Sequence, residues 1–241
     1  MNKISSNEQK MRAAHFAVDY LIQKNILHSN MKVGLGTGST AVKAVARLAE
    51  YIQKGVLKNI VASSTSFQTT LLCEKFDIPV YSLNAKCIGG KLDLTIDGAD
   101  EIDPDKNITK GGGAALLLEK ILAYNSEKYF IVATNSKCVE HLGCSFPIPI
   151  EIIGEARTSC IAALKKLGAD CVLREGGIPK QGPVITDNGN MILDARFEKP
   201  FDPKSYEDKI KLIAGVVEVG LFTKNTPRVF LCDDEGNNTV R

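Results

Sequence analysis

The stretch DGADEIDPDKNITKGGGAALLLEK, residues 97–120, holds the residue types that acid–base chemistry requires. Five carboxylates stand in its first nine positions, and Lys110, three consecutive glycines and an apolar run with Glu119 follow. Three consecutive glycines cost much backbone entropy on folding. Their presence therefore indicates a need for the close approach of a ligand or for unusual dihedral angles. A lysine and glycine amides can stabilise a developing oxyanion, and a carboxylate base can move a carbon-bound proton. The stretch therefore predicts proton abstraction next to a carbonyl group.

The helical position of Glu119 leaves two interpretations open. Desolvation raises the pKa of a carboxyl group on the buried side of a helix, and such a group is a useful base near neutral pH. On the solvent side, Glu119 would be an ordinary surface charge.

The acidic run has two interpretations besides a site. An EF-hand starting at Asp103 is excluded, because its sixth position is Ile108 rather than glycine and its twelfth is Ala114 rather than glutamate. A solvated acidic loop is the usual interpretation of a charge run. Asp97, however, directly follows an apolar strand, and ligands of open α/β sheets bind beyond the carboxyl ends of the strands. We therefore expect Asp97 in the binding crevice.

The glycine-rich segment GLGTGST, residues 34–40, lies between a predicted strand and a predicted helix. Such a turn presents amides and hydroxyls at a helix N-terminus, which favours an anion such as phosphate. A Walker A loop is excluded, because no lysine precedes Ser39. A dinucleotide fingerprint fits from Gly36 onward, but the acid that would bind the ribose is missing. A single phosphate is the favoured ligand, and a glycine-rich turn without a ligand is the alternative.

The order of elements predicts an α/β fold with a mostly parallel, Rossmann-like sheet and helices on both faces. An amphipathic helix is predicted over 7–28. Strands are predicted at 31–36, 78–83, 91–100 and 128–136, and a strand followed by a polar turn at 57–66. Helices are predicted at 40–55, 67–76 and 114–126. The right-handed crossover rule brings the loops after the strands to one edge.

From about residue 145 the order becomes strand, helix, strand, strand, helix, strand, which is typical of a ferredoxin-like α+β domain. We predict a Rossmann-like catalytic domain at 1–144 with 223–241, and a ferredoxin-like small domain at 145–222. The segment PRVFLCDDEG predicts a last strand that returns to the first sheet.

Composition excludes several classes of protein. Thirty basic and twenty-eight acidic residues give a formal charge of +2, far from the basic excess of a nucleic-acid binder. No apolar run reaches the roughly 20 residues that span a bilayer, and the first residues are polar, which predicts a cytoplasmic protein without membrane contact.

The seven cysteines are scattered and odd in number, which favours reduced thiols over a disulfide framework. Cys138, His141 and Cys144 have a spacing that could reach one metal, but no fourth ligand stands nearby, so zinc is the weaker interpretation.

Five segments together resemble the type A ribose-5-phosphate isomerases in their order and spacing. They are GLGTGSTA, SSTSFQT, TIDGADEID, KGGGAALLLEK and GPVITDNGNMILDARF. The resemblance covers nearly the whole chain and implies interconversion of ribose 5-phosphate and ribulose 5-phosphate in the non-oxidative branch of the pentose phosphate pathway. It also implies a homodimer or homotetramer that needs neither metal nor organic cofactor.

The resemblance further implies the site residues and their roles. Substrate would be bound by the loop Thr37, Gly38, Ser39 and Thr40, by the acidic motif Asp97, Gly98, Ala99 and Asp100, by Lys110, Gly111, Gly112 and Gly113, and by Lys137. In the implied mechanism, Asp97 and Asp100 assist ring opening, and Glu119 carries a proton from C2 to C1 through an enediolate that Lys110 stabilises. The family pattern has an aspartate near Lys137, and in this sequence Thr134 stands at that position.

Two other classes of function remain as alternatives. A non-catalytic sugar-phosphate sensor on the same fold would keep the phosphate loop but need no base. An amino-sugar phosphate deaminase or a CoA transferase would use a similar scaffold for different chemistry.

Overall fold

The computed structural model describes residues 3–178 and 180–241. Its contacts form two compact units. The first contains the residues up to Ala99, Leu118–Lys137 and Asn225–Arg241, and the second contains Asp100–Leu117 and Cys138–Lys224. The predicted domains place 100–117 and 138–144 with the first sheet, whereas the contacts group them with the second unit. The domain limits stay a prediction.

Six helices and thirteen strands lie in the described residues. The helices are α1 (Ser6–Gln23), α2 (Ala41–Gln53), α3 (Phe67–Lys75), α4 (Leu116–Tyr124), α5 (Arg157–Lys166) and α6 (Pro203–Lys211). The strands are β1 (Lys32–Leu35), β2 (Val61–Ser64), β3 (Leu92–Asp97), β4 (Glu101–Ile102), β5 (Ile108–Thr109), β6 (Ser126–Thr134), β7 (Ile148–Ile152), β8 (Ala169–Leu173), β9 (Met191–Phe197), β10 (Val216–Val219), β11 (Leu221–Phe222), β12 (Arg228–Cys232) and β13 (Asn238–Val240).

The sheet of the first unit has the strand order β13-β12-β6-β3-β1-β2. All neighbours pair in parallel except β13, which pairs antiparallel with β12 at the edge. β1 pairs with β2 on one side and with β3 on the other, so the strand order reverses at β1. Because β1 and β3 are parallel neighbours, the turns that follow them lie side by side at the same edge of the sheet. Ligands of open α/β sheets bind at such a reversal.

Helices pack on this sheet, as the alternating pattern predicted. The largest core cluster contains Leu21 of α1 and Leu48 of α2, packed with Leu94 of β3. Leu122 of α4 belongs to a separate cluster with Leu92. Burial of each leucine contributes about 1.5–3 kcal/mol, so these contacts fix the helices on the sheet. Among the helices of the described ranges, none is long and apolar enough to cross a membrane.

The second unit contains an antiparallel sheet with the order β10-β7-β9-β8. With α5 between β7 and β8 and α6 between β9 and β10, this is the predicted βαββαβ unit. A short sheet with the order β11-β5-β4 holds the segment that leads into the three glycines.

Two predicted elements are wrong in extent. α1 ends at Gln23, and Asn25 soon afterwards has a φ of 52°, a left-handed conformation that stops a helix. Segment 78–83 forms a single bridge, from Val80 to Ala62, rather than a strand. Pro79 lacks the N–H that a longer ladder needs. The last strand, β12, joins the first sheet beside β6, as predicted.

The strand that ends the predicted order strand, helix, strand, strand, helix, strand corresponds to segment 215–222. In the structure this segment breaks at Gly220 into β10 and β11. A Cβ at Gly220 would lie 2.3 Å from the carbonyl oxygen of Lys110, so only glycine permits this approach. The Lys110 N–H donates to the Gly220 carbonyl at 2.9 Å. The break therefore fixes the backbone that carries Lys110.

Glu101, one of the five clustered carboxylates, is fully buried and holds a turn. Its Oε1 accepts the backbone N–H groups of Ser145 and Phe146 at 2.7 and 2.8 Å, and its Oε2 accepts that of Gly143 at 2.6 Å. These bonds join β4 to the turn at 143–146. Part of the acidic run is therefore used for folding rather than chemistry.

We expect Glu101→Gln to lower the free energy of unfolding by about 2–3 kcal/mol, because an amide group faces the backbone donors with one acceptor oxygen instead of two. Urea denaturation measures the difference. Asp105→Asn, the same change at an exposed position, is the control and should stay within about 0.5 kcal/mol of wild type. Equal midpoints for the two variants would contradict this role for Glu101.

Candidate active site

The predicted site residues fall in both units. The first unit carries Thr37, Gly38, Ser39, Thr40, Asp97, Gly98, Ala99, Glu119 and Lys137, and the second carries Asp100, Lys110, Gly111, Gly112 and Gly113.

The turn between β1 and α2 lies directly against the end of β3. The Gly36 N–H donates to the carbonyl of Ile96 at 3.0 Å, which continues the β1–β3 pairing. A Cβ at Gly36 would lie 1.9 Å from Oδ1 of Asp97, so the position requires glycine. The Thr37 N–H points at the same Oδ1, at 3.3 Å. The glycine-rich turn and the first carboxylate are therefore held as one piece.

Hydroxyl groups from the segment after β2 hold this turn from its other side. Oγ1 of Thr37 lies 2.6 Å from both Oγ1 of Thr65 and Oγ of Ser66. Thr69 donates to the carbonyl of Gly36 at 2.7 Å. The Thr37 hydroxyl thus belongs to an internal cluster, while the neighbouring Ser39 is exposed.

The N-terminus of α2 carries the features of an anion site. Thr40 occupies the N-cap position but makes no side-chain capping hydrogen bond. Uncapped N–H groups in the first turn of a helix, with the positive end of its dipole, favour a bound anion. Gly38 has a φ of 100°, which glycine adopts without strain. The N–H of this glycine donates to Oε1 of Gln68 at 3.2 Å.

The supporting residues Thr65, Ser66, Gln68 and Thr69 were not among the predicted site residues. Their signal was present in the sequence, since SSTS places four hydroxyl groups in a row at the end of β2. The sequence did not reveal that β2 lies beside β1, which brings these hydroxyls to the glycine-rich turn between β1 and α2.

Asp97 ends β3 and is fully buried. Its Oδ1 accepts the N–H of Gly98 at 2.7 Å in addition to that of Thr37. Two backbone donors therefore fix the plane of this carboxylate, which lies at the predicted edge of the sheet.

Glu119 lies in the first turn of α4 with a side chain that is 4% exposed. Glu119 therefore lies on the buried side of α4 and is not an ordinary surface charge. Its role as a base stays a prediction. A carboxylate in the first turn is also favoured by the helix dipole.

Tyr129, which the sequence analysis missed, carries a buried phenol near the carboxylates of Asp97 and Glu119. It lies on β6 opposite Thr95, so its side chain shares the face of the sheet that carries Asp97. Burial raises the pKa of Tyr129 well above its ordinary value, and the negative charges of Asp97 and Glu119 raise it further. Its hydroxyl therefore keeps its proton, and within the described ranges that hydroxyl has no hydrogen-bond partner.

In the second unit, Asp100 holds the glycine segment. Its Oδ2 accepts the N–H of Gly112 at 2.7 Å, and its own N–H donates to the carbonyl of Thr109 at 2.8 Å. Gly111 has a φ of 107°, in the region that favours glycine. Lys110, immediately before it, is 3% exposed.

Lys137 ends a short 3₁₀ turn, Asn135–Lys137, that follows β6. β6 neighbours β3, so this half-buried lysine lies at the same edge of the sheet as Asp97. The hydroxyl of Thr134 bonds to that of Ser136 at 2.8 Å.

All seven cysteines are free thiols, as predicted. Among the side chains that the structure describes, no group of three His, Cys, Asp or Glu residues could hold a metal ion. The alternative of a zinc site at Cys138, His141 and Cys144 is therefore not supported.

We expect Tyr129→Phe to leave the free energy of unfolding unchanged or to raise it by about 1–2 kcal/mol, because it removes a buried hydroxyl that has no partner. Urea denaturation of the ligand-free protein measures this. Tyr51→Phe is the matched control, since the Tyr51 hydroxyl donates to Asp19 at 3.0 Å, and it should destabilise by about 1–2 kcal/mol. Equal destabilisation by both changes would mean that the Tyr129 hydroxyl has a partner in solution.

Comparison with known proteins gives concordant matches. The sequence model of the family Ribose 5-phosphate isomerase A (phosphoriboisomerase A) matches residues 61–236. Ribose-5-phosphate isomerase A of Treponema denticola is 53% identical over 236 residues, which cover 97% of this chain and 98% of that protein. The protein of the same name from Treponema pallidum is 49% identical and covers 95% of this chain and 91% of that one.

Solved structures agree with the sequence matches. A D-ribose-5-phosphate isomerase in complex with phospho-erythronic acid has a TM-score of 0.90 at 37% identity, over 99% of this chain and 100% of that one. The ribose 5-phosphate isomerase of Plasmodium falciparum has a TM-score of 0.88 at 33% identity, over 98% of each chain. A family match over most of the chain, together with near-full-length relatives, places this protein in the ribose 5-phosphate isomerase A family.

Proposed function

We propose that this chain interconverts D-ribose 5-phosphate and D-ribulose 5-phosphate through an enediolate, with Glu119 as the base. The observation that carries the proposal is the burial of Glu119 at 4% exposure, on the unit that also holds the phosphate turn and Asp97. A sugar-phosphate sensor has no use for a buried base beside its ligand site, and family membership supplies the substrate class.

The phosphate of the substrate is bound at the turn of residues 36–40. The uncapped N-terminus of α2 and the exposed hydroxyl of Ser39 provide donors for its oxygens. The cluster around the Thr37 hydroxyl keeps the turn rigid, so little conformational entropy is lost on binding.

Asp97 assists opening of the furanose ring, with Asp100 as its companion acid. Two backbone N–H groups orient the Asp97 carboxylate, which can then accept a hydroxyl proton from the sugar. Asp100 has a second task, since it holds the Gly112 amide.

Glu119 takes the proton from C2 of the open aldehyde, and the electron pair moves to give the enediolate. The protonated Glu119 then returns the proton to C1, while a proton passes from the oxygen on C2 to the oxygen on C1. Lys110 and nearby amides of the glycine segment stabilise the negative oxygen, and each well-placed donor of this kind contributes about 10²- to 10³-fold in rate. Gly98, Ala99 and Lys137 complete the proposed substrate contacts. This mechanism needs no metal or organic cofactor.

The experiment is to incubate the purified protein with ribose 5-phosphate and a chelator, and to follow ketose formation. We expect Glu119→Gln to lower kcat by about 10²- to 10⁴-fold, because it removes the general base, while binding of phospho-erythronic acid persists. Glu127→Gln, the same change on an exposed glutamate, is the control and should keep wild-type turnover. Near-normal turnover by Glu119→Gln would reject the assignment of the base.

The homodimer or homotetramer and the cytoplasmic location stay predictions from the sequence.

A further inference from the structure

Arg174, outside every predicted site position, contacts the glycine segment. It directly follows β8, and its Nη1 donates to the carbonyl oxygens of Gly111 and Gly112 at 2.8 and 3.2 Å. These are two of the three glycines that follow Lys110. The side chain is 14% exposed, so the contact is largely shielded from water.

Asp194 of β9 holds the guanidinium in place. Nε of Arg174 lies 2.8 Å from Oδ2 of Asp194, and Nη2 lies 2.5 Å from Oδ1, which is a two-pronged pair. The backbone N–H of Arg174 also donates to the carbonyl of Ile192 at 2.9 Å, so the strand itself is anchored. Asp194 belongs to the segment GPVITDNGNMILDARF, which has no role in the mechanism above.

The two sets of contacts fix the orientation of successive peptide groups. In a trans peptide the C=O and the following N–H point in opposite directions within one plane. The Gly111–Gly112 peptide is held at both ends, by Arg174 at its carbonyl and by Asp100 at its N–H. In the Gly112–Gly113 peptide the carbonyl is held by Arg174, so the N–H of Gly113 is aimed away from the guanidinium.

We propose that Arg174, held by Asp194, is a positioning residue for isomerisation: it fixes the Gly112–Gly113 peptide so that its N–H meets the oxygen that becomes negative in the transition state. The inference rests on the proposed function. It assigns the guanidinium an indirect role, because its hydrogen bonds go to protein carbonyls and not to the reacting atoms.

Arg174→Lys tests the role, because lysine keeps the charge but cannot make the two-pronged pair and reach the carbonyls at once. We expect kcat to fall about 10- to 100-fold, since a misdirected donor loses much of its contribution to the transition state. KM should change less than about threefold, because the phosphate turn is untouched. The carboxylate of phospho-erythronic acid resembles the enediolate. The dissociation constant of this compound should therefore rise by more than KM does, by a factor close to the fall in kcat. Asp194→Asn should lower kcat in the same direction by a smaller factor.

Arg47→Lys is the matched control. Arg47 forms the same two-pronged pair with Asp19, at 2.7 and 2.9 Å, and the exposures of the two side chains, 21% and 27%, are similar. We expect it to lower the midpoint of urea denaturation without changing kcat.

Three results would count against the proposals. An active wild type together with an Arg174→Lys variant whose kcat stays within twofold overturns the positioning role alone. A fall in kcat of equal size in Arg47→Lys also overturns it, because the effect would then be a general loss of stability. A wild type that does not convert ribose 5-phosphate overturns the proposed function, and the positioning role with it.

Discussion

The close approach of Gly36 to Asp97 is the constraint that positions the candidate site residues of the first unit. β1 and β3 are neighbours in a parallel sheet, and the turn after one strand lies against the carboxylate that ends the other. A methyl group at residue 36 would occupy the space of the Asp97 carboxylate, so the position of this carboxylate requires glycine at residue 36. The sheet itself therefore fixes the distance between the glycine-rich turn and Asp97.

Carboxylates of the same acidic run have different tasks because their surroundings differ. Asp97 lies at a strand end with backbone donors on one oxygen, and Asp100 holds the amide of Gly112. Glu101, the next residue, points into a turn and accepts three backbone N–H groups. The fold thus places Asp97 at the carboxyl end of β3, while it uses Glu101 to stabilise a turn of the second unit.

Preorganisation is the common feature of both units. The hydroxyl cluster holds the glycine-rich turn after β1, and Arg174 with Asp100 holds the glycine segment, so the backbone donors of both segments point in fixed directions. Fixed dipoles avoid the reorganisation that water would undergo as charge develops on the substrate. Flexible glycines can serve a precise purpose only because their carbonyl and amide groups are anchored.

The sequence by itself determined the alternation of strands and helices and the βαββαβ order of the second unit, since each depends on local periodicity. Its short motifs also predicted a phosphate-binding turn and the candidate acids, and these stay predictions. It overextended α1, predicted a strand where Pro79 permits only a bridge, and missed the break at Gly220, because these depend on backbone dihedral angles and on close approach of distant chain segments.

Only the tertiary structure decided that Glu119 is buried, that Thr65 and Ser66 support the turn at Thr37, and that Tyr129 lies near Asp97 and Glu119. It alone revealed that Arg174 reaches Gly111 across 63 residues of sequence. A local pattern encodes which residues share a face of one element, but the packing of whole elements decides which distant side chains meet there and which of them water can reach.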